Sequence, residues 1–456
     1  MGTTINLDRV RLFNYLRLIL FASVLIYYFR PIADLFYNFD RAVIPLAKNH
    51  FHFVRPVGVM GESDVCDFTT FYASGLLNRE RLTKYHNIDV YDAILLTQTV
   101  DRLIAPMRTI EVYSIQYPPM LFALTTPLSY FDLYTAWRIW FFASAICLAI
   151  AFLCIASSAL QTRPLLLSGL FICFANVAVI QDLIVGQTTT FEAAIIAISL
   201  RLLINRNYFL AGLIAGTSFF KLQQALIILI PGFCLGRSKF FYGCFLSVIF
   251  EGLLSTYIVG YNNVLNFIET NYLSEITHSY VGLNEICSMA NFRAMLHSLP
   301  GDISHASTIS ALVYILCCIA SIWLWVKLYP ALQKVSGQAF ELIASVSTIA
   351  LVYFSMHGYL YDYLLMIVPA LWLYIWSTTD DNRYTTWQSI IRLLIALLTF
   401  ALPFLILTNV DLMHAESTDV GYELRFFFGT IIFLFFAIAA IFIEFKQDKR
   451  KALVSK

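Results

Sequence analysis

The chain has 456 residues, 59% hydrophobic and 13% charged, where a soluble domain carries roughly 25% charged residues. Lys plus Arg number 30 against 29 Asp plus Glu, which excludes a basic nucleic-acid binder and an acidic disordered chain. With a mean hydropathy of +0.72 and apolar residues over most of the length, the composition predicts a polytopic membrane protein of the all-α class.

In chain order, the first apolar run is 12–29. Arg30 and Pro31 follow it without a small-residue cleavage site, so it reads as a span that is kept. Further runs of spanning length are 134–157, 164–183, 241–259, 308–326, 338–356, 390–410 and 424–445. Shorter candidates are 189–204, 208–220, 222–235 and 361–376, which makes about 12 transmembrane helices. Suppose the amino terminus, with Arg9 and Arg11, is cytoplasmic. Alternate crossings then place Arg163, Arg206, Arg237 with Lys239, Lys327 with Lys334, Arg383 and the tail bearing Lys446, Lys449, Arg450, Lys451 and Lys456 on that same side. Each short cytoplasmic segment then carries Lys or Arg, as the positive-inside rule requires. The expectation is a multi-pass protein of the cell (inner) membrane with both termini cytoplasmic.

Two long segments, about 34–133 and 261–306, then face outward, and loops of this length usually carry function. In the first, 68–77 and 94–104 are apolar enough to lie as helices on the membrane surface. Tyr117-Pro118-Pro119 then breaks the chain ahead of the second span. No internal repeat is visible, which argues against an inverted-repeat transporter. None of the nine cysteines forms a C-x-x-C pair, so they read as structural thiols.

Several polar residues stand out. Asp67 opens the apolar stretch Phe68-Thr69-Thr70-Phe71-Tyr72 and reads either as a helix N-cap or as a general base held at the membrane surface. Asp64, three residues earlier, either shares that site or is a loop charge. Lys221 interrupts an apolar hairpin between Arg206 and Arg237, which puts it at membrane depth or at the outer surface, where it either meets a phosphate or snorkels. His357 lies with Tyr361 and Asp362 at an outer turn, and Gln187 follows Gly186 at another. Thr189 and Glu192 fit a capping box, and Gly212 with Gly216 fits close helix packing. Arg293, in the second long segment, is a further candidate for an anionic group. Asp64 and Asp67 alone make a poor metal site, so no metal and no other cofactor are expected.

These elements recur in a recognisable order: Asp67-Phe68-x-x-Phe71-Tyr72-x-x-Gly75, Tyr117-Pro118-Pro119 leading to Pro127, Gly186-Gln187, a glycine-containing helix ending in Lys221, and His357 with Tyr361-Asp362. The order resembles glycosyltransferase family 87, polyprenol-phosphate-mannose-dependent mannosyltransferases of the GT-C fold, over roughly 12–369. The resemblance implies a GT-C-like bundle with a helical first outer loop. Residues 1–377, including loop 34–133, would form the catalytic module, and 378–456 would hold carboxyl-terminal spans and a basic tail. It implies an outward-facing site, a polyprenyl-phosphate-linked sugar donor (mannose or a related hexose or pentose) and a lipid or glycan acceptor among the membrane lipids. Asp67 would be the base, with Asp64 beside it. Lys221, His357, Tyr361, Asp362, Gln187, Tyr117 and Arg293 would contact substrates. The competing readings are a lipid or sugar transporter or flippase and a non-catalytic subunit of an envelope-assembly complex.

Overall fold

The structure is a computed structural model that describes residues 54–56, 62–65, 67–84, 88–105, 108–109, 117–156, 177–277, 292–297, 306–334, 339–355 and 360–378. The expected spans at 12–29, 390–410 and 424–445, and most of 164–183, lie outside the described residues, as does His357.

The described residues are mostly helical. Helices α1 (Asp67–Thr83), α2 (Ala93–Ile104), α3 (Leu121–Leu128) and α4 (Leu133–Ala156) come first. Then follow α5 (Val177–Val185), α6 (Thr189–Ile204), α7 (Tyr208–Ala215), the long α8 (Leu222–Val259) and α9 (Tyr261–Thr277). The short α10 (Phe292–His297), then α11 (Ala306–Trp323), α12 (Tyr329–Gln333), α13 (Ala339–Tyr353) and α14 (Ile367–Thr378) complete the set. The all-α expectation needs one correction. A small sheet joins β1 (Val54–Pro56) antiparallel to β2 (Glu62–Val65), which pairs in parallel with β3 (Arg108–Thr109). Strands of two to four residues in a mixed polar loop leave no alternating pattern, so the sequence does not announce them.

Among the described residues, three stretches are long and apolar enough to cross a bilayer: Leu133–Ala156, Gln223–Val259 and Ser307–Gln333. Their large apolar side chains are widely exposed, among them Phe142, Ile146, Phe245, Leu253, Leu312 and Leu316. In water that surface would be an unusually large apolar patch, whereas against lipid it costs nothing. The second stretch is not one helix. Its backbone breaks at Arg237 (φ 44°, ψ −125°), and the Phe240 ring lies 5.3 Å from that of Phe233. Along α7 and the second arm of α8, contacts advance together. A Cβ at Gly212 would meet the Phe240 carbonyl oxygen at 2.1 Å, one at Gly243 the Phe209 oxygen at 2.2 Å, and one at Gly216 the Ser247 side chain at 2.4 Å. These two segments therefore run parallel, and the arm from Leu222 to the break runs in the opposite direction. The expected separation of 222–235 from 241–259 is thus present, with Arg237 and Lys239 at the reversal. Gly212 and Gly216 serve the close approach that their spacing suggests.

The same geometry sorts the ends of the bundle. Ile204, Arg206, Tyr208, Leu235, Tyr329, Gln333 and Glu341 line one cavity of about 430 Å³. The starts or ends of α6, α7, α12 and α13 therefore converge there. Thr189, Lys221 and Asp362 meet at the other end.

Two apolar cores support the bundle. One joins α4 to α8 and α13, with Leu148, Phe152, Ile196, Ile228, Ile343 and Leu364. The other joins α1, α2 and α3 to the start of α4, with Phe68, Leu77, Val100, Phe122 and Trp137. The second core corrects the expectation that 68–77 lies on the membrane surface. Phe68, Ala73 and Leu77 are fully buried, and a Cβ at Gly75 would come within 2.4 Å of the Thr125 carbonyl oxygen. Thus α1 is an interior helix pressed against α3. The polar residues Ser74 and Asn78 are buried with it and bonded, Asn78 to the Thr126 hydroxyl at 2.9 Å. Hydropathy alone cannot separate such a helix from an interfacial one.

Candidate functional site

The site forms where the two cores meet, and a turn builds its centre. Gly186 between α5 and α6 has φ +74°, a conformation that glycine adopts without steric cost. A Cβ there would lie 2.5 Å from Phe68 Cβ, so the glycine also lets the first turn of α1 pack onto the turn. Gln187 follows. Its main-chain oxygen accepts from Trp140 Nε1 at 3.3 Å, and Trp140 packs against Phe68 and Phe191. The amide at the start of α6 is capped from outside the helix: Asp182 Oδ1 accepts from Thr189 N at 3.1 Å. The capping box expected of Thr189 and Glu192 is absent. Thr188 occupies the cap position without a side-chain cap bond, and Glu192 accepts from Ser218 Oγ at 2.8 Å instead. A fully buried Glu needs a partner more than the exposed amides of an ordinary helix start need a cap.

From that turn a chain of polar contacts runs in two directions. Toward α1, Gln187 Nε2 donates to Asp67 Oδ2 at 2.5 Å. Asp67 is the first residue of α1, where the helix dipole favours a carboxylate. Tyr117 OH donates to Gln187 Oε1 at 2.8 Å, and the Tyr117 ring meets Phe71 edge-on at 5.0 Å. Toward the bundle, the Lys221 ammonium lies 5.9 Å from the centre of the Tyr117 ring. It donates to Asp362 Oδ1 at 2.9 Å and to Thr189 Oγ1 at 3.1 Å. Gln224 Nε2 donates to the same carboxylate oxygen at 2.6 Å.

Lys221 ends a short 3₁₀ segment, Gly216–Lys221, and Asp362 lies on another, Leu360–Met366. Both are only 7% and 4% exposed. Lys221 is therefore buried, which removes the snorkelling alternative. An isolated charge here would be strongly disfavoured, and each group supplies the other's counter-charge. Desolvation pushes the Tyr117 phenol up to about 12, against the pull of the Lys221 ammonium. Near neutral pH it remains a hydrogen-bond donor.

Among the expected site residues, Asp67, Gln187, Tyr117, Lys221 and Asp362 are drawn into this one cluster from five separate stretches of chain. Asp64 stands on β2, opposite Arg55 in the register. Tyr361 precedes Asp362 on the same 3₁₀ segment. Arg293 is buried on α10, with Nε donating to Ser307 Oγ at 3.2 Å. Its neighbour Phe292 packs edge-on against Phe354, 5.3 Å away, the residue after the end of α13. Three participants escape the sequence reading: Gln224, Asp182 and Thr189 as an ion-pair partner. Gln223-Gln224, two amides in an otherwise apolar arm, was the available signal.

The model of glycosyltransferase family 87 matches residues 115–355, more than half of the chain. The chain belongs to glycosyltransferase family 87. As a member, and with apolar helices of spanning length, it is a membrane glycosyltransferase that handles a sugar donor and an acceptor. Within this glycosyltransferase the matched stretch holds Tyr117, Gln187, Lys221 and Arg293. Asp67 and Asp362 lie outside it and join the site through Gln187 and Lys221. No curated protein and no solved structure matches the chain.

Proposed function

We propose that the glycosyltransferase moves a sugar, mannose or a related hexose or pentose, from a polyprenyl-phosphate donor to a lipid or glycan acceptor of the cell envelope. The active site lies on the outer face of the inner membrane, both termini are cytoplasmic, and residues 1–377 form the catalytic module. No metal, nucleotide or nucleic acid takes part. One observation carries the reading: a carboxylate at a helix start, Asp67, and a buried ammonium, Lys221, are joined through Gln187 and Tyr117.

That pairing suits a single displacement. The acceptor hydroxyl oxygen bonds to the anomeric carbon as its proton passes to Asp67. The bond from that carbon to the phosphate oxygen breaks, and its electron pair leaves on the polyprenyl phosphate. The anomeric configuration inverts, and no covalent glycosyl-enzyme forms. The departing phosphate gains negative charge beside lipid and must be paired. Asp362 already balances Lys221, so a phosphate next to this pair calls for further positive charge. At least one of Arg293 and His357 supplies it together with Lys221, and Tyr361 contacts substrate. Asp64, on its strand, is the weaker candidate for the base.

The test is transfer by purified protein from radiolabelled polyprenyl-phosphate mannose to a membrane lipid extract. Asp67→Asn keeps the size of the side chain and its ability to begin a helix, but it cannot take the proton. Its melting temperature in detergent should match the wild type, while turnover falls by roughly a hundredfold or more. Asp64→Asn should do much less. Wild-type transfer by Asp67→Asn would refute the assignment.

A further inference from the structure

The bonds around Asp67 have a direction. A primary amide offers one acceptor oxygen and one donor NH₂. At Gln187 the oxygen is taken by the Tyr117 hydroxyl at 2.8 Å and faces the Thr188 backbone N–H at 3.4 Å. The NH₂ is thereby left to face Asp67, which it meets at 2.5 Å. The backbone of Gln187 is fixed as well, by the bond from Trp140 Nε1 and by the Gly186 turn under Phe68. Tyr117 is held in turn by the Phe71 ring.

We propose that Tyr117 and Gln187 are positioning residues for the general base. The Tyr117 hydroxyl sets the orientation of the Gln187 amide, and the amide N–H holds Asp67 Oδ2 and so fixes how the carboxylate is turned. This rests on the reading of Asp67 as the base. It assigns Tyr117 and Gln187 a task other than the substrate contact that the family resemblance implies.

The arrangement has a consequence that simple packing lacks. Hydrogen bonding to the ionised form of a carboxylate favours that form. Without the Tyr117 hydroxyl the amide is free to turn over and present its oxygen to Asp67. Two acceptors then face each other, and the carboxylate relieves the conflict by holding a proton. Among the described residues, the charged groups that act on the Tyr117 phenol besides Asp67 are Lys221 and Asp362. Both are unchanged in the variants below.

The experiment is the pH dependence of kcat/KM for transfer from radiolabelled polyprenyl-phosphate mannose to a membrane lipid extract. It uses the full chain in detergent, as wild type, Tyr117→Phe, Gln187→Glu and Asp67→Asn, with melting temperatures alongside. Tyr117→Phe should lower kcat around tenfold, with donor KM within about twofold, and move the acid limb upward by roughly one pH unit. Gln187→Glu, isosteric with Gln187, places a second carboxylate against Asp67 and should move the limb further. Raised donor KM with an unmoved acid limb in both variants would make these residues substrate contacts. Lower kcat with an unmoved limb would make them packing residues. Either result overturns the relay while inactive Asp67→Asn leaves the base assignment standing. An active Asp67→Asn would instead refute the base itself.

Discussion

The same helices end in two different ways. At one end, Arg206, Arg237, Lys239, Lys327 and Lys334 are exposed, and the backbone is turned by Arg206 and Arg237 themselves at positive φ. At the other end Lys221 is buried, and its charge is met by Asp362, by Thr189 and by the face of Tyr117. A cation in water needs no partner and specifies little beyond which way a span points. A cation inside the protein fixes the position of everything that must satisfy it. The first end is solvated and constrains its neighbours little, and the second draws several distant segments together.

Breaking the pair at the buried end should have the largest effect. Lys221→Ala leaves the Asp362 carboxylate enclosed without its counter-ion, which should cost about 3–5 kcal/mol of stability. A marked fall in melting temperature in detergent would register it, together with loss of transfer. Lys221→Met combined with Asp362→Leu should recover most of the melting temperature but none of the transfer. Recovered transfer in the double variant would separate the pair from the chemistry.

A smaller effect is expected where the site meets α1. Gly186→Ala forces a side chain into a positive-φ turn against Phe68, at roughly 1–3 kcal/mol. Because Phe68 adjoins Asp67, transfer should fall by more than the lost stability explains. Unchanged transfer with a lower melting temperature would show that the turn only packs. At the basic end, Arg206→Ala should change stability by no more than about 0.5 kcal/mol and leave transfer as it is. A large loss there would erase the contrast between the two ends.

The sequence foretold much of this contrast, for physical reasons. Lys221 is conspicuous because a cation among apolar residues has no inexpensive explanation. The reversal at Arg237 is legible because two basic residues, Arg237 and Lys239, divide runs too short to be one span. The motif from Asp67 to Gly75 is legible as a pattern, but its meaning is not. Only in three dimensions does Phe68 prove to lie on Gly186, and Gly75 on the Thr125 backbone. The polar partners were hidden for the same reason. Asp182 reads as an ordinary charge near a helix end, and Glu192 fits a local capping pattern. Yet both take partners set by tertiary packing, Thr189 N and Ser218 Oγ. Local sequence rules describe a helix facing water, and these helix starts face protein.

The ion pair also bears on how the chain is made. Asp362 follows Lys221 by 141 residues, so at roughly 5–20 residues per second the ribosome supplies the carboxylate about 7–28 seconds after the ammonium. Thr189 and Tyr117 precede Lys221 and are already present. Asp182 and Glu192 precede it as well and share its field, but the 2.9 Å bond to Asp362 Oδ1 can form only when that later segment arrives, which ties completion of the cluster to synthesis of the chain beyond residue 360.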